Sequence, residues 1–326
     1  MKSLSYSEFG DPAAVLSVVE QPLPEPKADE VRIKLVLAPI HNHDLWTIKG
    51  AYGYKPPLPA IAGSEAVGVI DQLGANASGL QVGQRVVASG VHGSWSECFV
   101  AKAASLLPLP ADIPDEIAAQ LIAMPLSTSM LLKMLNAPAG SWIIQNAANG
   151  AVGKTLAVLA KAQGIQVINL VRRAEAAAEL SALGIEHVVV TSAADWKEQV
   201  MAITQGQSII RAIDSLSGAA ARDLLDLLAE GGVFVSFGSA MREPIMVTAA
   251  DLIFRQITLK GFWGAKAAKD LDAASQKQML QDLVSLAQQG QLTLPVAGIF
   301  TLDEVQVALA AQANPQRNGK VLFKAA

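Results

Sequence analysis

The stretch from Ser141 to Arg173 constrains this chain more than any other. An apolar run, Trp142-Ile143-Ile144, enters a turn of small residues, Ala147-Ala148-Asn149-Gly150-Ala151-Val152-Gly153, and a helical pattern starts at once behind it. A strand, a turn without bulky side chains and a helix in immediate succession form the setting that separates a dinucleotide-binding fingerprint from a chance pair of glycines. Here the pattern is Ala147-x-x-Gly150-x-x-Gly153, with alanine where the commonest form has its first glycine. Gly150 lets the backbone approach a pyrophosphate, Gly153 lets the helix pack closely on the sheet, and the helix start at Ala151 and Val152 offers free N–H groups to phosphate. Asn146 and Ala147 open the turn and complete its part of the candidate cofactor set.

The same alternation continues downstream. Short apolar runs at 142–144, 167–171, 187–190, 209–213, 233–236 and 257–259 are separated by helical stretches at 152–163, 175–183, 195–203 and 219–228. Six strands spaced by helices predict an α/β domain with a parallel, doubly wound sheet of Rossmann type. The chain before it reads differently. Residues 30–37, 66–73, 84–88 and 95–100 are Val- and Ile-rich runs broken by Gly and Pro, which predicts a β-rich part, followed by a helix over 114–135. After Trp263 the alternation stops. A helix over 270–288 follows, and Gly319-Lys320-Val321-Leu322-Phe323 reads as a closing strand that returns to the first domain. The resulting division is 1–115, 116–263 and 264–326, with the middle piece an insertion. Two domains also suit 326 residues, more than a single core usually supports.

Composition narrows the classes of function. Hydrophobic residues make up 51% of the chain, yet no run reaches the roughly 18 apolar residues of a membrane span. A net charge of −4 with scattered basic residues gives no footprint for nucleic acid, so a small-molecule partner is expected. The N-terminal residues lack the apolar run of a secretory signal, which places the expectation in the cytoplasm. A single cysteine, Cys98, can neither close an intrachain disulfide nor build a four-thiolate zinc lobe.

The second strand of the alternation ends in Leu170-Val171-Arg172-Arg173, about 20 residues past the turn, where an NAD-binding chain usually carries an acid for the ribose 2′-hydroxyl. Arg172 and Arg173 instead suit a 2′-phosphate, held by charge-assisted, bidentate hydrogen bonds. The expected cofactor is therefore NADPH, against the plainer alternative of a solvated surface pair.

Five segments in order resemble the medium-chain dehydrogenase/reductase superfamily over nearly the whole chain: Ala62-Gly63-Ser64-Glu65-Ala66-Val67-Gly68-Val69-Ile70, Val82-Gly83-Gln84-Arg85-Val86, Gly93-Ser94-Trp95-Ser96-Glu97, the nucleotide turn, and Gly319-Lys320-Val321. The resemblance implies a GroES-like β domain with a Rossmann domain inserted before its last segment. It also implies which branch. The zinc-dependent members carry a Cys near residue 41 and Gly-His-Glu where this chain has Gly63-Ser64-Glu65, so no metal is expected, and His41 and His43 read as polar cleft or surface residues. Gly50-Ala51-Tyr52-Gly53, Gln145-Asn146-Ala147-Ala148-Asn149 and Gly261-Phe262-Trp263 resemble the mitochondrial-type 2-enoyl thioester reductases more than the quinone reductases.

That resemblance implies roles for particular residues. Tyr52 is the candidate proton donor, with capping of a cleft as its alternative. Asn42 would orient substrate or a proton path, His41 and Trp263 would line the substrate pocket, and Thr128, with Ser127, would reach the nicotinamide ribose. The reaction implied is hydride transfer to an activated alkene such as a 2-enoyl thioester. Quinone reduction and a non-catalytic NADPH-binding role stand as the alternatives. A homodimer through the last Rossmann strand, near residues 257–261, is expected from the same likeness.

Overall fold

A computed structural model describes residues 1–325. Strands Trp142–Gln145, Gln166–Val171, Val188–Val190, Ile209–Asp214, Leu228–Ser236 and Thr258–Gly261 form one sheet, every pair parallel. Across the sheet, numbering these six by sequence, the order is third, second, first, fourth, fifth, sixth. Helices Ala151–Ala162, Ala174–Ala182, Trp196–Thr204 and Gly218–Leu227 make the crossovers between the first five strands. Trp142–Gln145 is buried at all four positions, as a central strand with both faces covered must be. The strand order reverses beside it, and ligands of such sheets bind at the carboxyl ends of the strands at this reversal. The doubly wound α/β domain expected from the alternation is therefore present.

The β-rich part is built on the strand Glu30–Pro39. It pairs antiparallel with Glu65–Leu73, Cys98–Lys102 and Lys320–Lys324, so the tail of the chain completes a sheet begun by its first third. A smaller sheet of Ser17–Glu20, Lys2–Tyr6 and Ala60–Ile61 lies in the same part. Leu4, Ile33, Trp95, Val321 and Phe323 form its core and are essentially unexposed. By contacts the chain divides into one unit of residues 1–123, 284–290 and 294–326 and a second of 124–283 and 291–293.

Two local expectations need correction. The helix read over 114–135 is two helices, Asp115–Ala118 and Ala123–Leu135. Between them the N–H groups of Ile122 and Ala123 donate to the Glu65 carboxylate, both at 2.8 Å, instead of continuing the helical ladder. The strand read over 95–100 begins only at Cys98, because the Trp95 backbone bonds to Ala62 and Leu4 of other segments. Pattern reading also passed over the helix Asn42–Ile48, which carries most of the chemistry described below.

Candidate active site

The polar cluster of the first unit follows from strand register. Leu37 stands opposite Val67, which brings the chain after Pro39 and the chain before Ala66 to the same end of the sheet. Gly63 sets the approach. It has φ +95°, and a Cβ there would lie 2.4 Å from Trp95 Cδ1 and 2.5 Å from Ser94 Oγ, so a side chain is excluded. Ser64 and Glu65 then meet the helix Asn42–Ile48.

His41 caps that helix and is completely buried. Its Nε2 meets Glu65 Oε2 at 2.7 Å, its backbone N–H donates to Asp44 Oδ2 at 3.0 Å, and its Nδ1 has no partner. Burial holds the imidazole well below its ordinary pKa, so His41 is neutral. Burial likewise pushes the Glu65 carboxyl up to about 7, against the opposing pull of the Ala123 and Ile122 N–H groups. Lys320 is also buried, donates to the Ile40 carbonyl at 3.3 Å, and is lowered to about 8 by burial and by the neighbouring Arg317.

A second chain of hydrogen bonds lies beside the first. Ser64 Oγ donates to Asp44 Oδ1 at 2.6 Å, and His43 Nε2 lies 2.7 Å from Ser64 Oγ. The His43 ring stacks on His41 with centroids 4.9 Å apart, and the Tyr52 ring is tilted against His43 with centroids 5.8 Å apart. Tyr52 is half-buried. Asn42 is exposed and accepts from Gln312 Nε2 at 3.4 Å.

The zinc chemistry of the dependent branch has no matching donors here. His41 and His43 direct Nε2 at different partners, and Ser64 is spent on Asp44 and His43. Among the described residues no three His, Cys, Asp or Glu side chains are grouped to hold a metal ion.

In the second unit the nucleotide turn is made by main chain. Ala147 adopts φ +50°, the left-handed conformation that glycine supplies in the commoner sequence. A Cβ on Gly153 would lie 2.5 Å from the Ala148 carbonyl oxygen and 2.6 Å from its Cα, so only glycine lets this helix lie so close. The helix Ala151–Ala162 has Gly150 as its N-cap, which brings no side chain to satisfy the N–H groups of Ala151, Val152 and Gly153. Donors, small residues and a buried Asn149 Oδ1 without a partner all fit a pyrophosphate-bearing dinucleotide. Arg172 is exposed and Arg173 half-buried at the tip of the second strand.

Other expected residues have structural employment. Asn146 donates to Asp214 Oδ1 at 2.6 Å and accepts from the Ser215 N–H at 2.8 Å, tying the first strand tip to the fourth. Thr128 is buried and donates to the Met124 carbonyl at 2.8 Å. Trp263 is 44% exposed just past the last strand, after Phe262, whose ring stacks on Phe237. The cofactor turn and the Tyr52 loop were marked by sequence. The His43–Ser64–Asp44 chain and Lys320 were not given roles, because nothing in local sequence shows that they meet.

Residues 27–111 match the alcohol dehydrogenase GroES-like domain family and residues 151–288 the zinc-binding dehydrogenase family. The mitochondrial enoyl-[acyl-carrier-protein] reductase of Homo sapiens is 32% identical over 329 residues, 99% of this chain and 88% of that protein. This chain belongs to the medium-chain dehydrogenase/reductase superfamily, in its zinc-free branch. The enoyl-[acyl-carrier-protein] reductase of Arabidopsis thaliana is 31% identical to this superfamily member, over 94% of the chain and 84% of the plant protein. Among solved structures, a Bacillus thuringiensis protein assigned as an NADPH:quinone reductase superposes with TM-score 0.92 at 28% identity, covering 100% of this chain and 99% of that one. The quinone oxidoreductase of Escherichia coli, solved with NADPH, has the same fold, with TM-score 0.89 at 24% identity over 99% of this chain and 100% of that one.

Proposed function

We propose that this chain is an NADPH-dependent reductase of activated alkenes, with 2-enoyl thioesters as its substrate class. The observation that carries the reading is full-length identity of 30–32% to enoyl-[acyl-carrier-protein] reductases of several vertebrates and a plant. In this reading residues 116–263 hold the nucleotide, and residues 1–115 with 264–326 supply the groups that act on substrate. Gly150 and Gly153 admit the pyrophosphate, the N–H groups of Ala151 and Val152 bind it, and Arg172 with Arg173 holds a 2′-phosphate. Asn146, Ala147 and Thr128 shape the turn and the approach to the nicotinamide ribose.

Bound NADPH supplies a hydride to the substrate β-carbon. Tyr52 then gives its phenolic proton to the α-carbon, which closes the reduction. Asn42 orients the carbonyl end, and His41 and Trp263 are the residues assigned to substrate. Quinone reduction is the second reading, favoured by the likeness to the Bacillus thuringiensis protein, and it needs no positioned carbon acid because reduced quinone oxygens exchange protons with water.

The test is NADPH consumption by the purified chain against enoyl thioesters, enones and quinones. We expect thioester turnover to fall by about 10²- to 10⁴-fold in Tyr52→Phe. Turnover of quinones alone would overturn the first reading in favour of the second.

We place the protein in the cytoplasm as a homodimer. Among the described residues no helix is long and apolar enough to cross a membrane. The dimer reading rests on the sheet edge: Thr258–Gly261 is exposed at all four positions and ends the strand order, with Leu252, Ile253 and Phe254 exposed just before it. An unpaired edge beside apolar side chains calls for a partner. Phe254→Asp should convert a dimer to monomer in sedimentation velocity.

A further inference from the structure

The hydrogen-bond chain beside Tyr52 has a defined direction. A serine hydroxyl has one hydrogen, and Ser64 gives it to Asp44 Oδ1 at 2.6 Å. Ser64 Oγ therefore accepts from His43, and His43 carries its proton on Nε2, 2.7 Å away. The other ring nitrogen, Nδ1, is then bare in the neutral imidazole and an N–H donor in the imidazolium.

Three neighbours set the field around the ring. Asp44, 3.5 Å from His43 Nε2 and almost fully buried, stabilises positive charge on the ring. Glu65 acts in the same sense from the adjacent strand. His41, stacked face to face at 13°, would repel an imidazolium if it were charged, but burial keeps it neutral. Of the stacked pair, His41 is fully buried and His43 is the partly exposed ring. Tyr52 leans on this ring, with centroids 5.8 Å apart and planes at 30°.

We propose that His43, tethered by Ser64 and Asp44, is a positioning residue that returns a proton to Tyr52 after each turnover. This rests on the reading of Tyr52 as proton donor. The steps balance without electron transfer. The Tyr52 O–H bond breaks as the substrate α-carbon–hydrogen bond forms. The phenolate takes the Nδ1 proton of the His43 imidazolium, directly or through one water, and neutral His43 regains a proton from solvent. Serine at 64, in place of the histidine of zinc-dependent relatives, is what leaves an oxygen free to anchor this imidazole.

The groups that share the field of His43 are His41 and Asp44 on its own turn, Tyr52 on the following loop, Glu65 on the neighbouring strand, and His92 and Lys320, which interact with Asp44. All of these side chains remain in His43→Gln.

The experiment compares the unmutated chain, His43→Gln, Ser64→Ala and Tyr52→Phe, using NADPH with but-2-enoyl-CoA and with 1,4-benzoquinone. His43→Gln should lower kcat for the thioester relative to the quinone by about 10²-fold, leave KM nearly unchanged, and recover with added imidazole. Ser64→Ala, which keeps the imidazole but cuts its tether, should show the same selective loss to a smaller extent. An unaltered thioester-to-quinone ratio in both variants, or parallel loss on both substrates without rescue, overturns the proposal. Full thioester turnover in Tyr52→Phe overturns the donor reading beneath it, whereas loss in Tyr52→Phe with full turnover in His43→Gln overturns this proposal alone.

Discussion

The nucleotide turn and the polar cluster of the first unit are two sites built in opposite ways. The turn is made of backbone: Ala147 at positive φ, Gly153 pressed on the Ala148 main chain, and open N–H groups behind Gly150. The cluster is made of side chains: His41 on Glu65, and His43 on Ser64 and Asp44. A backbone site tolerates almost no added atoms but is indifferent to most chemistry. A side-chain site tolerates shape changes but depends on each proton.

The sharpest break between them should come from adding atoms to the first. Gly153→Val places three carbons where even a Cβ would stand 2.5 Å from the Ala148 carbonyl oxygen. We expect a stability loss of about 1–3 kcal/mol, with NADPH affinity lowered by about 5- to 150-fold in isothermal titration. Of comparable size is Arg172→Ala, which would remove the proposed charge-assisted bond to a 2′-phosphate, worth about 1.5–3 kcal/mol. The NADPH KM should rise roughly 10- to 100-fold while the NADH KM stays near its starting value. Equal rises for both cofactors would assign Arg172 to general nucleotide binding.

These expectations also mark how much of the molecule sequence made legible. The turn was readable because a close approach of main chain demands small residues at a fixed spacing, and that demand is written in consecutive positions. The six-strand alternation was readable for a similar reason, since each buried strand is a local apolar run. The cluster was not. His41, His43, Glu65 and Lys320 come from three places in the chain and meet only because Glu30–Pro39 pairs with both Glu65–Leu73 and Lys320–Lys324. The split of the 114–135 helix was hidden likewise, since the acceptor that interrupts it, Glu65, lies 57 residues from Ile122.

A smaller effect tests the protonic character of the cluster. The folded Glu65 carboxyl is raised from 4.5 to about 7 by burial, so its contribution to stability is fully present below pH 4.5 and is lost as pH rises through 7. Glu65→Gln removes this dependence, while His41 is present in both proteins. The stability difference between the unmutated chain and the variant, from urea melts, should therefore favour the unmutated chain more at pH 5 than at pH 8. A difference that is flat with pH would show that Glu65 does not titrate on unfolding. The smallest effect returns to the turn. Ala147→Gly relieves an alanine held at φ +50° and should change stability by no more than about 1 kcal/mol, upward if strain outweighs the added freedom of the unfolded chain.

The strand Lys320–Lys324, seated between Glu30–Pro39 and Val296–Thr301, sets an order for the birth of this protein. Domains fold as units while the chain leaves the ribosome. All six strands of the second unit have been synthesised once Gly261 has emerged. The strand Glu30–Pro39, made far earlier, waits for residue 324 before its edge near Ala38 is covered. A nascent chain stalled after residue 293, with the second unit complete and Lys320–Lys324 not yet made, should therefore yield a protease-resistant nucleotide-binding fragment, with the residues around His41 still open to cleavage.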